Sequence, residues 1–250
     1  MRRILLLSGW FLSFCTAAFA DEIATAGRAI IDQWRETVIQ VKMVIEVNDY
    51  ESKSEALATV IDPSGLAVMS LSAIDPNTMR MSGSGTPGLT TKIKDLKMIL
   101  PDGAEIPAQV VLRDPDLDLA FIKPQDRLSK PAVFLDLQQN VKPDILTPFL
   151  ILSRMGETAG REIYVPVSRI QGIIIKPRTL YIPDMNGMMS GLAAPAFSFD
   201  GKVLGIILLR VAQSESGMTN EMFGGMGNMN IIPVIVPAPA IIETAKKIPK

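Results

Sequence analysis

Three pairs of short apolar runs, each folded back on a turn that few residues can make, restrict this chain to antiparallel β-structure. In the first, Thr59 to Ile61 and Leu66 to Ile74 flank an Asp62-Pro63-Ser64-Gly65 turn. In the second, Met98 to Ile106 closes on Pro101-Asp102-Gly103 and runs through Val110-Val111-Leu112 into Arg113-Asp114-Pro115-Asp116-Leu117-Asp118-Leu119-Ala120-Phe121-Ile122-Lys123. In the third, Ala193 to Phe199 and Val203 to Ile207 are joined by Asp200-Gly201, a dipeptide that favours tight hairpins. Helices long enough to compete would need sustained 3.6-residue periodicity, which these segments lack. A further strand is read upstream, where Ile39, Val41, Met43, Ile45 and Val47 alternate with Gln40, Lys42, Val44 and Glu46. A period of two places one set toward a core.

The three hairpins, in this order, resemble the trypsin-like domain of the HtrA family of serine proteases. There the first hairpin ends in Thr-Asn-Ala-His and the second reaches Thr-Asp-Leu-Ala-Val-Leu-Lys. The third begins Gly-Asn-Ser-Gly-Gly-Pro before a strand, an Asp-Gly turn and Val-Ile-Gly-Ile. The likeness runs from about Ala29 to the C-terminus, where Asn230-Ile231-Ile232-Pro233 and a helix over 238–248 match the family's closing segment. The resemblance implies an all-β, trypsin-like double β-barrel with short N- and C-terminal helices. The N-terminal barrel is expected over about 37–135 and the C-terminal barrel over about 141–236. The chain ends where that family commonly continues into a PDZ domain, so the resemblance implies a member without that module.

Carried over residue by residue, the family's triad falls on Ser72, Asp118 and Leu192. The chain contains no histidine at all, and only the aspartate is of the family's type. A serine hydroxyl becomes a nucleophile when a base that titrates near neutrality takes its proton, and imidazole is the side chain that does so. Ser72 cannot. Leu192 has no nucleophilic atom, and the two glycines that follow the family's serine are Ala193 and Ala194, whose Cβ atoms are expected to disturb a loop that needs permissive backbone. Ser190 stands two residues too early to replace the missing serine. The resemblance therefore implies a pseudoprotease, acting by binding a protein or peptide. An active hydrolase with another constellation, such as a serine–lysine pair, is the rival reading. Asp118 also has a purely structural reading, as a buried acceptor of backbone hydrogen bonds.

The 250 residues, 48% hydrophobic, are enough for one large β unit. A net charge of −1 gives no basic field for nucleic acid. No cofactor is expected, and no histidine cluster or cysteine pair suggests zinc. At the N-terminus, Arg2-Arg3, the apolar run Ile4 to Phe14 and Ala18-Phe19-Ala20 read as a cleavable signal peptide over 1–20. The mature domain is then 21–250, periplasmic or secreted, with no transmembrane segment and a net charge shifted to −3. The only cysteine, Cys15, leaves with the signal. A short helix is expected over Glu22 to Trp34, and a mobile loop over 79–91.

Methionine is the remaining anomaly. Of 14 in the chain, Met185, Met188 and Met189 precede the third hairpin, and Met218, Met222, Met226 and Met229 follow its second strand. By the resemblance, these loops form the walls of the primary specificity pocket. Three readings stay open: the thioethers fill that pocket, they present an adaptable surface to an apolar partner with Met185, Met188, Met189, Met222 and Met226 at its centre, or they hold Cu(I) as soft ligands. The sequence leaves the oligomeric state open.

Overall fold

A computed structural model of the chain describes residues 15–79, 90–184, 191–211 and 231–249. Two antiparallel barrels follow one another along the chain. The first consists of β1 (Val38–Val47), β2 (Tyr50–Val60), β3 (Ala67–Ser70), β4 (Thr91–Ile99), β5 (Glu105–Asp114) and β6 (Leu119–Pro124), closed in the order β1-β2-β3-β6-β5-β4. The second consists of β7 (Pro148–Ile151), β10 (Val167–Ile174), β11 (Leu180–Pro183), β12 (Pro195–Phe197), β13 (Val203–Val211) and β14 (Ile231–Pro237), closed as β10-β11-β14-β13-β12-β7. Between β7 and β10 lies a small two-stranded sheet, β8 (Ser153–Arg154) with β9 (Ile163–Tyr164). The all-β double barrel expected from the hairpins is the observed architecture, with helices α1 (Cys15–Trp34) and α2 (Ala238–Ala245) at its ends.

Local chemistry accounts for the strand joints. Between β2 and β3, Gly65 takes φ +87°, its N–H donates to Asp62 O at 3.0 Å, and the Asp62 carboxylate accepts from Ser64 N at 2.8 Å. Between β1 and β2 the turn is Asn48-Asp49 with φ of +47° and +66°. Two left-handed residues define the hairpin turn whose twist matches paired strands, and Asn and Asp enter that region more readily than other side chains. Along β1, Ile39, Val41, Met43 and Ile45 are buried as their period of two predicts. Gln40 is buried too, against that pattern, because its Nε2 crosses to Met155 O in the second half at 2.9 Å.

Within the described residues helix α1 already includes 15–21, upstream of the expected start near Glu22, so it runs through the expected cleavage site after Ala20. Alanines 17, 18 and 20 are good helix formers, which the boundary drawn from the signal pattern did not weigh. Its far end is anchored: Trp34 stacks on Phe197 of β12 with centroids 6.5 Å apart. Among the described residues no helix is long and apolar enough to cross a membrane. Most of the loop expected over 79–91 lies outside them.

The halves share one hydrophobic core and are tied by specific polar contacts. Arg154 donates to Val38 O at 2.6 Å, Arg35 O at 2.7 Å and Arg161 O at 3.2 Å, so one guanidinium caps three carbonyls. Arg161 in turn pairs with Glu55 of β2 at 2.6 Å. Thr59 of β2 donates its hydroxyl to Ala193 O at 2.6 Å. In the second barrel, β13 and β14 approach so closely that a Cβ at Gly205 would lie 2.0 Å from Val236 O. Since that neighbour is backbone, Gly205→Ala must push the strands apart. We expect a loss of about 1–3 kcal/mol or more in unfolding free energy, read from denaturant titration.

Candidate functional site

The site is built where the end of β3, the turn before β6 and the middle of β13 converge. Asp118 sits in that turn with φ +55°, and its own carbonyl accepts Leu71 N–H at 2.8 Å, which locks the turn to the start of the segment after β3. Its carboxylate is buried and accepts four hydrogen bonds. Oδ1 receives Ser72 N–H at 2.7 Å and Ser72 Oγ–H at 2.5 Å. Oδ2 receives Ser70 Oγ–H at 2.6 Å and Leu209 N–H at 3.2 Å. Two donors are hydroxyls and two are backbone amides, one from each barrel.

The structure thus brings Ser72 and Asp118 together, as the alignment of the hairpins implied. Serine here uses its hydroxyl proton on the carboxylate, so the side chain at this position acts as a donor. Ser70, which sequence reasoning passed over, is the third member. Its oxygen lies 3.2 Å from that of Ser72. Strand alternation does not foretell the pairing, because β3 ends at Ser70 and Ser72 lies in the 3-10 turn Leu71–Ala73. The amide of Leu209 carried no sequence signal, because its role depends on how the barrels dock.

Burial drives the Asp118 carboxyl above the usual aspartate range, although the two serine hydroxyls and two amides each pull in the opposite direction. Desolvation wins over the hydrogen bonds.

Leu192 is half-buried and packed against the core. The turn it belongs to is closed by its own bonds: Ala194 N–H to Gly191 O at 2.9 Å, Ala193 N–H to Ile207 O at 2.7 Å, and Ile207 N–H back to Ala194 O at 3.0 Å. Ala193 takes φ +68°, so the expectation that alanine is strained in this loop holds at that residue. Ala194 has no positive φ. Ile207 is two residues from Leu209 on β13, so the Leu192 turn and the Asp118 cluster are fastened to the same strand. Ser190, Met185, Met188, Met189, Met218, Met222, Met226 and Met229 lie outside the described residues. Among those described, no group of three or more histidine, cysteine or acidic side chains is placed to hold a metal.

No family model matches the sequence, and no curated protein matches it. Solved structures do match in fold. The active form of the Rv3671c protease from M. tuberculosis superposes with a TM-score of 0.59 at 15% identity, covering 90% of this chain and 86% of that one. The inactive form of Rv3671c gives 0.53 at 16%, covering 91% and 96%. The MamO protease domain from Magnetospirillum magneticum, in its apo form, gives 0.52 at 15%, covering 84% and 96%. The chain has the trypsin-like double-barrel fold.

Two consequences of the Asp118 geometry are measurable. Asp118→Asn must turn its amide toward one of two fixed backbone N–H groups, so it should lose about 2–4 kcal/mol even though shape is preserved. The pH dependence has a definite sign. A carboxyl with a raised folded pKa binds its proton more tightly folded than unfolded, so its contribution is full below the unfolded value of about 3.9. That contribution falls as pH rises through the folded pKa. The stability gap between wild type and Asp118→Asn should therefore be widest near pH 4 and narrow toward neutrality, as followed by urea unfolding at a series of pH values.

Proposed function

We propose that this chain is an exported trypsin-like pseudoprotease of HtrA type that binds proteins or peptides instead of cleaving them. The observation that carries the reading is the 2.5 Å bond from Ser72 Oγ to Asp118 Oδ1 in a chain without histidine. At the position where the resemblance implies the general base, there is a hydroxyl that donates. At the position of the nucleophile there is Leu192. In the triad template, loss of the serine or the histidine alone costs about 10⁶-fold in turnover, and the two losses are not additive because the residues act as a unit. Fold likeness does not decide activity, because a fold hosts many functions and the matched structures include both an active and an inactive form.

Binding has a physical basis in β13. Ile207 spends its backbone bonds on Ala193 and Ala194, and Leu209 N–H goes to Asp118, all on the edge away from β14. Alternation turns the amide and carbonyl of Val211 to the same edge. Among the described residues, β13 from Leu209 onward meets a strand only on its β14 side. An extended peptide could add there by main-chain pairing. The methionine segments 185–189 and 218–229 adjoin this edge in sequence, one leading toward β12 and the other following β13, and they are proposed to supply its apolar contacts. The Arg2-Arg3 pair, the apolar run Ile4 to Phe14 and Ala18-Phe19-Ala20 support the reading of export to the periplasm or outside the cell.

The test is direct. The protein from residue 21 onward should leave unfolded casein intact and take no fluorophosphonate label; label on Ser190 that disappears in Ser190→Ala would sink the pseudoprotease reading. Ser72→His combined with Leu192→Ser should restore little turnover, because Ala193-Ala194 also departs from the catalytic template. Replacing Met185, Met188, Met189, Met222 and Met226 with serine should abolish peptide binding in a fluorescence titration. A melting temperature that changes little would mark them as a binding surface, whereas early melting with no specific binding defect would mark them as core filler.

A further inference from the structure

Strand β2 is paired along its full length with β1, but its other edge meets β3 only at Thr59 and Val60. Tyr50 to Ser54 are all exposed, Tyr50 at 81%. The Asn48-Asp49 turn determines which backbone groups that edge offers. The first pair outside such a two-residue turn, Val47 with Tyr50, exchanges both hydrogen bonds, and pairs alternate from there. The N–H and C=O groups of Glu51, Lys53 and Glu55 therefore point away from β1. The far end of the strand gives the same parity, because Ile61, an even number of residues on, donates away from β1 to Leu66 O at 2.8 Å. The side chains of Glu51, Lys53 and Glu55 also share one face, with alternating charge.

We infer that this edge is a self-association surface, on which a second copy of the chain lays its own β2 antiparallel and extends the sheet across a two-fold axis. A two-fold contact must be self-complementary. Only registers that pair outward-facing residues with outward-facing residues can form the ladder. An axis at Lys53 would set Lys53 against the partner's Lys53, with glutamates opposed on both sides. An axis at Ser52 pairs the exposed run Tyr50 to Ser54 with itself. It sets Lys53 against the partner's Glu51 twice, and brings Tyr50 beside the partner's Ser54. Charge selects the Ser52 axis. Glu55, beyond this run, already has Arg161 as its partner. Among the described residues the edge carries no proline, bulge or covering strand; its charges, which alone would keep a partner off, are the ones the Ser52 axis pairs. Five residues a side make a narrow seam, so the association is weak and depends on protein concentration and salt.

Sedimentation of the exported protein over a concentration series tests this. Wild type should show a monomer–dimer equilibrium that weakens with added salt. Lys53→Glu, which opposes glutamates, and Glu51→Lys, which opposes lysines, should each weaken dimerisation by about tenfold or more. An equimolar mixture of the two variants should recover it, because each supplies what the other needs. All these positions are exposed, so unchanged melting temperatures will show that the variants fold. In the protein from residue 21 onward, which has no other cysteine, Ser52→Cys should cross-link to itself under mild oxidation. Residues on the axis form a non-hydrogen-bonded pair with Cα atoms about 4.5 Å apart, within disulfide range. Lys53→Cys should not, since it faces position 51 of the partner. The inference is overturned if wild type stays monomeric to its solubility limit, if the single charge variants associate like wild type, or if Lys53→Cys cross-links as readily as Ser52→Cys.

Discussion

One buried carboxylate joins the two halves of this molecule. Asp118 belongs to the first barrel by sequence and hydrogen-bonds Ser70 and Ser72 there, while its second oxygen also takes an amide from β13. Burying an ionised group is costly unless its acceptor capacity is met, and here four donors meet it. The raised carboxyl pKa shows that the balance still leans toward the penalty. Other contacts between the halves, such as Arg154 on the carbonyls of Val38 and Arg35 and Thr59 on Ala193 O, follow the same chemistry: a side chain from one half satisfies backbone groups of the other.

That arrangement separates two jobs which a catalytic triad combines. An aspartate can orient an imidazole and also hold strands together, and in this chain the second job persists with no imidazole present. Ser72 is small enough to fill the acceptor site with its own amide and hydroxyl, so the carboxylate remains satisfied without a base. The cluster is thus satisfied as a structural unit, with the carboxylate's four bonds supplied by Ser70, Ser72 and Leu209.

The fold was legible because hairpins announce themselves locally: an Asp-Pro-Ser-Gly turn, a Pro-Asp-Gly turn and an Asp-Gly turn each fix a strand pair, and three pairs in order leave little choice of topology. The proximity of Ser72 to Asp118 followed from the same alignment. Less was legible where geometry depends on docking. Gln40 looked like a solvent-facing residue of an alternating strand and is buried, because its amide bridges to Met155. Ser70 looked like an ordinary strand-end serine. Leu209 contributes only an amide, which every non-proline residue has. Helix α1 extends upstream of Glu22 because a boundary inferred from a cleavage pattern is not a boundary of helix propensity.

The Asp118 clamp also sets a timescale. The amides of Ser72 and Leu209 belong to different barrels, yet each donates to an oxygen of the same side chain. A fluctuation that parts the barrels releases Leu209 alone, because Ser72 and Asp118 both stay with the first barrel. In hydrogen–deuterium exchange the Leu209 amide would then report the parting of the barrels and the Ser72 amide the opening of the first barrel. The Leu209 rate would measure how often this molecule comes apart along its middle.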